Sequence, residues 1–579
     1  MRNISLLTAR AFATVFLFFG LLTPHHMHPW RSAFQEYGVL FSLLFFSVSL
    51  AIENKKLRLP SAKWTALVLI LGLCSLLATG LGNPFQLESH YLFFVFVAGI
   101  YIAVTAGIAS AGNANIVKVF STILCVAAAS QIAVSTAQWA GSVTTISFDN
   151  WWSTSGASGG RANGNIFQSN NYGTLVIWGY LAWLYLVSER ESSQGGQKFS
   201  RFTLTLVAIY FSFGLALGQS RTSILSLIVI TLLGFLQVRR FNLSIRVAWL
   251  VFLAGTAISW YLQPAIGNIW LSDDLGLESR PFISSDLRFP AWSMFLGAAS
   301  DSIIHLLFGR GWGTIAATHS YVAGSSSDLP DLGFMVFAHT HNIFLDVLVS
   351  FGLLGLLLLA VLLWRPLINL LAQRTGDGRF FLWGMLIALF VHANLELPHW
   401  YGYFIWPAGF IAGLLMSPSG NLFVQRQFAM PILIIALGFT GMTFRQYIEF
   451  EKIFSNYAIQ LARQGRITEV ADVGSAVFPG LTESLEVAVI PISEKLTSDD
   501  FQRLSRAAIF KPSSFNTKRA YYAAAFLKDV QQYEFFSRLA CRMSGYEFAS
   551  QIHAVSLTIP VSMTRREIGL DCNIVSTTK

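Results

Sequence analysis

The run His339-Thr340-His341-Asn342 stands where a long polar segment meets an apolar one that leads to Gly352-Leu353-Leu354-Gly355. Imidazole titrates near neutrality, and its neutral form is a common general base. A hydroxyl is a weak nucleophile until its proton is accepted. His341 is therefore a candidate base for activating a hydroxyl. Histidine more often makes a structural hydrogen bond than a catalytic one, so the assignment leans on its surroundings. His339 lies two residues away and on a helix would point elsewhere. It and Asn342 are supporting candidates. Gly352 and Gly355 are expected to allow close helix packing.

Cations and amides recur near apolar segment ends. Arg221 sits in Gly218-Gln219-Ser220-Arg221-Thr222-Ser223. A guanidinium beside hydroxyls and helix-end N–H groups suits a phosphate. A snorkelling arginine at the membrane interface is the plainer alternative. Arg288 sits in Asp286-Leu287-Arg288-Phe289-Pro290-Ala291-Trp292. The spacing of Phe289, Trp292, Phe295 and Leu296 predicts an amphipathic helix lying on the membrane. Local pairing of Arg288 with Asp286 is the competing reading. The amide-rich run from Arg161 to Asn171 offers Arg161, Asn165, Gln168 and Asn170 to a sugar or phosphate pocket. Asn170 or Asn171 is equally a good helix N-cap. His392 and Glu396 lie about one helical turn apart, ahead of Pro398, so they could share a face. A structural ion pair with Arg221 or Arg288 is the expected use of Glu396. His25 and Arg310 complete the set. No HExxH, P-loop, dinucleotide glycine pattern, CxxC or CxxH is present, so neither a metal nor any other cofactor is expected.

These residues need elements to position them. The chain has 579 residues, 54% hydrophobic and only 12% charged, where a soluble protein carries about 25% charged residues. Apolar runs long enough to cross a bilayer recur, and they lack the alternation of an outer-membrane barrel. The fold class is an all-α polytopic membrane protein with about 13 transmembrane helices, a large loop on the outer face and a C-terminal helical domain outside the cytoplasm. The expected spans are 5–22, 36–53, 64–81, 91–111, 116–139, 172–188, 202–218, 221–238, 245–266, 343–364, 379–396, 399–416 and 430–446. The first lacks a small-residue cleavage site and reads as uncleaved. Residues 1–446, with the loop 267–342, form the membrane domain. Residues 447–579 form a soluble domain of short amphipathic helices, for example around Phe501–Phe510 and Thr517–Phe536. Cys74 and Cys125 read as small core residues, and Cys541 and Cys572 lie where a disulfide is permitted.

The net charge of +9 belongs to loops and does not suggest a nucleic-acid partner. One set of loops holds Lys55, Lys56, Arg58, Lys63, Lys118, Arg190, Arg239 and Arg240 among others, and outnumbers the opposite set roughly three to one. That set is cytoplasmic, with the N-terminus inside. The minority arginines Arg31, Arg161, Arg221, Arg280, Arg288 and Arg310 then face outward, against the bias. The histidines, the amide-rich run and the His392–Glu396 segment share that face, as expected of a site at the outer leaflet.

His341-Asn342, nine residues, then Gly352-x-x-Gly355 resembles the signature of the bacterial O-antigen ligase and O-antigen polymerase superfamily. Finer matches are similar to the bacterial protein O-oligosaccharyltransferases of the PglL type. They are Pro24-His25 through His28-Pro29-Trp30 with Glu36, Gly164-Asn165 through Gln168 and Asn170-Asn171, and Ser220-Arg221-Thr222. Arg288 through Trp292, Phe308-Gly309-Arg310-Gly311-Trp312-Gly313 and His392 through Glu396-x-Pro398 extend them over about residues 20–416. The chain departs from the family in reading Gln168-Ser169-Asn170 where Gln-Pro-Asn is expected, and in its dense His25-His26-Met27-His28 cluster. The resemblance implies an undecaprenyl-diphosphate-linked oligosaccharide donor at the outer leaflet of the bacterial inner membrane, and transfer of the glycan to a hydroxyl. Arg221 and Arg288 would bind the diphosphate, and His341 would activate the acceptor. A periplasmic protein, such as a pilin, is the acceptor favoured by the early Pro-His…Pro-Trp segment and the large C-terminal domain. The lipid A core, as for a ligase, and another lipid-linked glycan, as for a polymerase, are the alternatives. A lipid-glycan transporter ranks lower, because it predicts charges near mid-membrane and here they gather at span ends.

Overall fold

The computed structural model describes residues 2–26, 30–60, 65–66, 69–70, 72–73, 84–143, 161–166, 168–192, 199–235, 241–270, 288–325, 337–372, 377–416, 422–464, 478–488, 490, 495–527, 529 and 531–540. Its elements in chain order are α1 (Arg2–Leu22), α2 (Ala33–Glu53), β1 (Lys56–Arg58), α3 (Pro84–Ser110), α4 (Ala114–Val143), α5 (Ser169–Ser192), α6 (Arg201–Leu217), α7 (Arg221–Phe235) and α8 (Leu243–Trp270). They continue with α9 (Arg288–Ala299), α10 (Ile303–Phe308), α11 (Ile315–Ser325), α12 (Ile343–Ala372), α13 (Asp377–Ala393) and α14 (Gly402–Leu415). Then come β2 (Phe423–Gln425), α15 (Arg426–Gln464), α16 (Pro479–Ala488), α17 (Ser498–Phe510) and α18 (Ser514–Phe526). A further helical stretch covers 531–540.

The protein is an all-α polytopic membrane protein. Among the described residues, seven helices are long and apolar enough to cross a bilayer, and four shorter ones are apolar. Twelve of the thirteen expected spans coincide with described helices. The expected span 64–81, which holds Cys74, lies largely outside the described residues. Cys541 and Cys572 lie outside them too. The strands β1 and β2 form one short antiparallel pair, with Leu57 opposite Val424.

The chain divides into two compact units. The first comprises Met1–Ala66, Phe96–Ser284 and Leu362–Arg445. Its central element is α5, which α4, α6, α7 and α13 flank. From Tyr172 to Val187 nearly every side chain of α5 is buried. Its tyrosines and tryptophans lower its hydropathy, and burial explains how it carries them. The Tyr172 hydroxyl donates to the Gly214 carbonyl (2.8 Å), the Trp178 indole to Met385 (2.8 Å) and the Tyr180 hydroxyl to Ala248 (2.8 Å). Each of these three polar tips meets a carbonyl on a neighbouring helix. The α1–α2 hairpin packs so closely that a Cβ on Gly38 would lie 2.7 Å from the Gly20 backbone.

The second unit comprises Leu67–Val95, Ser285–Val361 and Gln446–Lys579. Its C-terminal helices gather around Ala508, Tyr521, Ala524, Phe536 and Leu539, together with Ala323 of α11. Arg538 donates to the Gly324 carbonyl (2.7 Å), and Glu88 accepts from the Leu481 backbone (2.8 Å). A capping box of Thr497 and Asp500 opens α17. The helix expected over Thr517–Phe536 is broken. Asp529 accepts from the Gln532 backbone (3.0 Å) and caps a new helical stretch, so one amphipathic run becomes two elements.

Candidate functional site

The predicted residues fall into two clusters, one in each unit. In the first unit, Glu396 follows the C-terminal end of α13. Its carboxylate accepts from the Asn170 amide (2.9 Å) and the Gln168 amide (3.3 Å). Sequence reasoning looked to an arginine for Glu396; these two amides are partners it did not name. The Asn170 carbonyl oxygen in turn accepts from the Ser220 hydroxyl (2.7 Å). Ser220 also accepts from the Ser223 backbone (3.1 Å), which makes it the cap of α7 and places Arg221 at that helix's first position. The expectation that Asn170 or Asn171 caps α5 is corrected. The helix begins at Ser169, so both asparagines lie in its first turn. Asn171 donates to the Tyr403 hydroxyl (2.8 Å). His392 is fully buried and shares a 2.7 Å hydrogen bond with Thr174. Glu396, Gln168, Asn170, His392 and the Ser220–Arg221 turn are thus brought to the ends of α5, α7 and α13.

Three other predicted residues serve the scaffold around this cluster. Asn165 is buried. Its backbone N–H donates to Gln131 (2.7 Å), its side chain to the Leu22 carbonyl (3.0 Å), and its own carbonyl accepts from Gln35 (2.9 Å). Arg161 donates to the Gly218 carbonyl (3.2 Å) and so ties the amide-rich run to the turn before Arg221. His25 packs on Phe34, with ring centres 4.2 Å apart. Its neighbour His26 reaches Asn165 instead. The two His26 ring nitrogens lie 2.8 Å from the Arg31 carbonyl and 2.7 Å from the Asn165 carbonyl. Burial lowers the His26 pKa, while those two carbonyls pull it back up.

In the second unit, His341 occupies a left-handed backbone conformation (φ +57°). A side chain with a Cβ is unfavourable there by roughly 1–2 kcal/mol. The residues on either side explain how it is held. Before it, Thr340 donates its backbone N–H (2.9 Å) and its hydroxyl (2.5 Å) to the same Asp346 oxygen. After it, the Asn342 side chain accepts from Phe344 (3.0 Å) and Leu345 (3.1 Å) and caps α12. The Thr340 carbonyl accepts from the Trp292 indole (2.8 Å) on α9, the helix that begins at Arg288. The His341 ring stands edge-on to Phe337 (5.6 Å between centres), whose backbone N–H donates to His319 (2.7 Å). The 339–341 run precedes α12, so the helical argument for His339 does not apply. His339 is half-buried. On α9 the expected single apolar face divides: Phe295 is buried against His319, while Phe289 and Leu296 are exposed. Asp286 lies outside the described residues.

Arg310 serves as a strut. It donates to the Ala298 carbonyl (3.0 Å) and pairs with Asp301, which also binds His305 (2.6 Å). Burial pushes the Asp301 carboxyl up, but the His305 hydrogen bond and the Arg310 charge outweigh it and hold the group below its usual range.

Gly352 does more than pack. It interrupts α12 with φ +64° and ψ −161°. The break leaves the Val349 and Ser350 carbonyls for the Arg310 backbone N–H (2.7 Å) and the Gly311 backbone N–H (3.0 Å). The Gly309 and Gly352 backbones fit against each other's strands of chain so closely that a Cβ on either would fall 2.4 Å from backbone atoms.

Asp346 and His26 are the residues that sequence reasoning undervalued. Asp346 had a signal: a lone carboxylate in the first turn of an apolar span, five residues beyond His341.

A family model described as "O-Antigen ligase" matches residues 206–360, the stretch that holds Arg221, Arg288, Arg310, His341 and Gly352. Over that stretch the chain is similar to the O-antigen ligases. A second model, described as "Virulence factor membrane-bound polymerase, C-terminal", matches residues 380–536. Two similar proteins come from Acinetobacter baylyi. One is named a ComP-specific O-oligosaccharyltransferase; it is 24% identical over 413 residues, 70% of each chain. The other is named a general O-oligosaccharyltransferase; it is 25% identical over 431 residues, 72% of this chain and 70% of the relative. By these similarities the chain is a glycosyltransferase of the O-oligosaccharyltransferase kind.

Proposed function

We propose that this protein is a member of the O-antigen ligase superfamily that transfers an oligosaccharide en bloc from an undecaprenyl-diphosphate carrier to Ser or Thr hydroxyls of periplasmic or pilin-like proteins. One observation carries the reading. Among the described residues, two non-glycine residues have positive φ: Gln219 (+41°) and His341 (+57°). Gln219 opens the turn that delivers Arg221, and His341 is the candidate base itself. Strain of this kind persists where surrounding structure enforces it, and it concentrates at functional sites.

The chemistry follows from the groups. The acceptor hydroxyl gives its proton to His341 and attacks the anomeric carbon of the glycan. The bond from that carbon to the diphosphate oxygen breaks, and negative charge gathers on the leaving diphosphate. Arg221 and Arg288 each stand at the first position of a helix, α7 and α9. A cation there opposes the helix dipole, whereas an anion beside it satisfies both. Neutralising charge that grows in the transition state is what accelerates the step. The energy resides in the diphosphate linkage. In this reading residues 1–446 carry the transfer, and residues 447–579 form a periplasmic domain. The N-terminus is cytoplasmic, and the active site faces the periplasm.

Deleting the gene is expected to strip glycan from periplasmic proteins and leave the lipopolysaccharide ladder intact, read on a glycan blot beside a lipopolysaccharide gel. The reverse result would reassign the acceptor to the lipid A core. Glu396→Ala is expected to slow glycosylation by about tenfold or more, because it strands two half-buried amides. Glu396→Gln retains one acceptor oxygen and is expected to fall between Ala and wild type. Equal rates for all three would remove Glu396 from the site.

A further inference from the structure

We propose that Asp346 is a positioning residue: by holding Thr340 it fixes the left-handed backbone at His341 from which the imidazole acts. The inference rests on the reading of His341 as proton acceptor.

An acidic residue in a first helical turn would ordinarily be explained as a helix cap. That explanation is already taken, because Asn342 accepts from Phe344 (3.0 Å) and Leu345 (3.1 Å). Asp346 instead reaches back past the helix start, where one of its oxygens accepts from the Thr340 N–H (2.9 Å) and from the Thr340 hydroxyl (2.5 Å), which also lies 2.8 Å from the Asn342 carbonyl. Thr340 is fully buried and Asp346 is 4% exposed. Placing a carboxylate at the head of an apolar span is costly unless its hydrogen bonds are needed there. The need is local: the next residue has φ +57°, which its own Cβ resists. Trp292 of α9 donates to the Thr340 carbonyl (2.8 Å). Thr340 is therefore gripped at its N–H, its hydroxyl and its carbonyl, and His341 has little freedom to relax. Trp292 lies one helical turn beyond Arg288 on α9. The same grip thus registers the Arg288 helix to the His341 backbone.

The roles of charge and of geometry separate by substitution. Asp346→Asn keeps an oxygen that accepts from Thr340, whereas Asp346→Ala removes it. The full-length variants are to be expressed in a deletion strain. Glycosylation of the host's own periplasmic proteins is followed over time at matched membrane abundance, across a series of external pH values. Asp346→Ala is expected to slow transfer by about a hundredfold, the effect of an ångström-scale misplacement. Asp346→Asn is expected to stay within about tenfold of wild type, with the wild-type pH profile, because the titrating group is unchanged. Near-wild-type transfer by the Ala variant, or equal loss in Ala and Asn, would overturn the proposal. If Asp346→Ala fails to accumulate, Thr340→Ser and Thr340→Val decide. Ser keeps the hydroxyl bond and Val loses it, so a faster Ser variant is expected, and equal rates would overturn the proposal. His341→Ala runs in parallel. Retained transfer there would sink the base assignment, while an inactive His341→Ala beside an active Asp346→Ala would sink the present inference alone.

Discussion

Replacing His341 with Ala is expected to abolish glycan transfer while the protein still accumulates in the membrane. A positioned general base contributes roughly a hundredfold to ten-thousandfold to such a step, so little product should remain on a glycan blot. The fold has no reason to collapse. His341 lies between a cap and a hydrogen-bonded threonine, and its ring makes an edge contact with Phe337 rather than filling a core. Its backbone makes a sharper version of the prediction. At φ +57° glycine is unstrained. His341→Gly is therefore expected to be as inactive as Ala and at least as stable, gaining about 1 kcal/mol from relief of strain. A thermal melt of the purified protein in detergent reads this directly. Wild-type transfer by either variant would dismiss His341 as the base.

Gly352→Ala is expected to be among the most damaging single-methyl additions available in the second unit. Its backbone angles, φ +64° and ψ −161°, belong to a region open essentially to glycine alone. The added Cβ would also lie 2.4 Å from the Leu307 backbone, an atom that cannot swing aside. Together these cost about 3 kcal/mol or more, by the scale of local strain plus overpacking. Relief would require α12 to part from the 307–311 segment and break the bonds from Arg310 and Gly311. The expected result is poor accumulation or a lowered melting temperature, with transfer lost alongside. Gly297→Ala is the control. It lies in α9 with open space around its missing Cβ, and is expected to be neutral or slightly stabilising. A Gly352→Ala protein that melts like wild type would refute the backbone account of this glycine.

The apolar spans were legible because lipid imposes one rule on every crossing helix, and hydropathy reports it. That same signal is blind to a change of backbone within an apolar run. The break at Gly352 therefore read as ordinary close packing. Residue types at span ends pointed to Arg221, Arg288, His341 and Glu396. Their partners were harder to read, because the pairs lie far apart in the chain. Glu396 meets amides more than two hundred residues earlier, at 168 and 170. Charge alone points to arginines for that carboxylate and gives no hint of these amides. Asn170 looked like a cap because asparagine favours caps; its side chain was instead drawn to the buried carboxylate. Arg310 stood out as a cation against the topological bias, yet Asp301, nine residues before it, was enough to occupy it. The broken C-terminal helix shows the opposite case, a strictly local signal that was overlooked at Asp529.

The buried helix α5 has a consequence for how the protein is made. Its tyrosines and tryptophans are poorly suited to lipid, so the nascent segment gains little by leaving the insertion machinery alone. The carbonyl that accepts the Trp178 indole belongs to Met385, 207 residues further along the chain. Much of the membrane region must be synthesised before that donor finds its acceptor. Until then α5 lacks the acceptor that α13 supplies. Truncation ahead of α13 would leave an aromatic helix without its partner, and quality-control proteolysis is its natural fate.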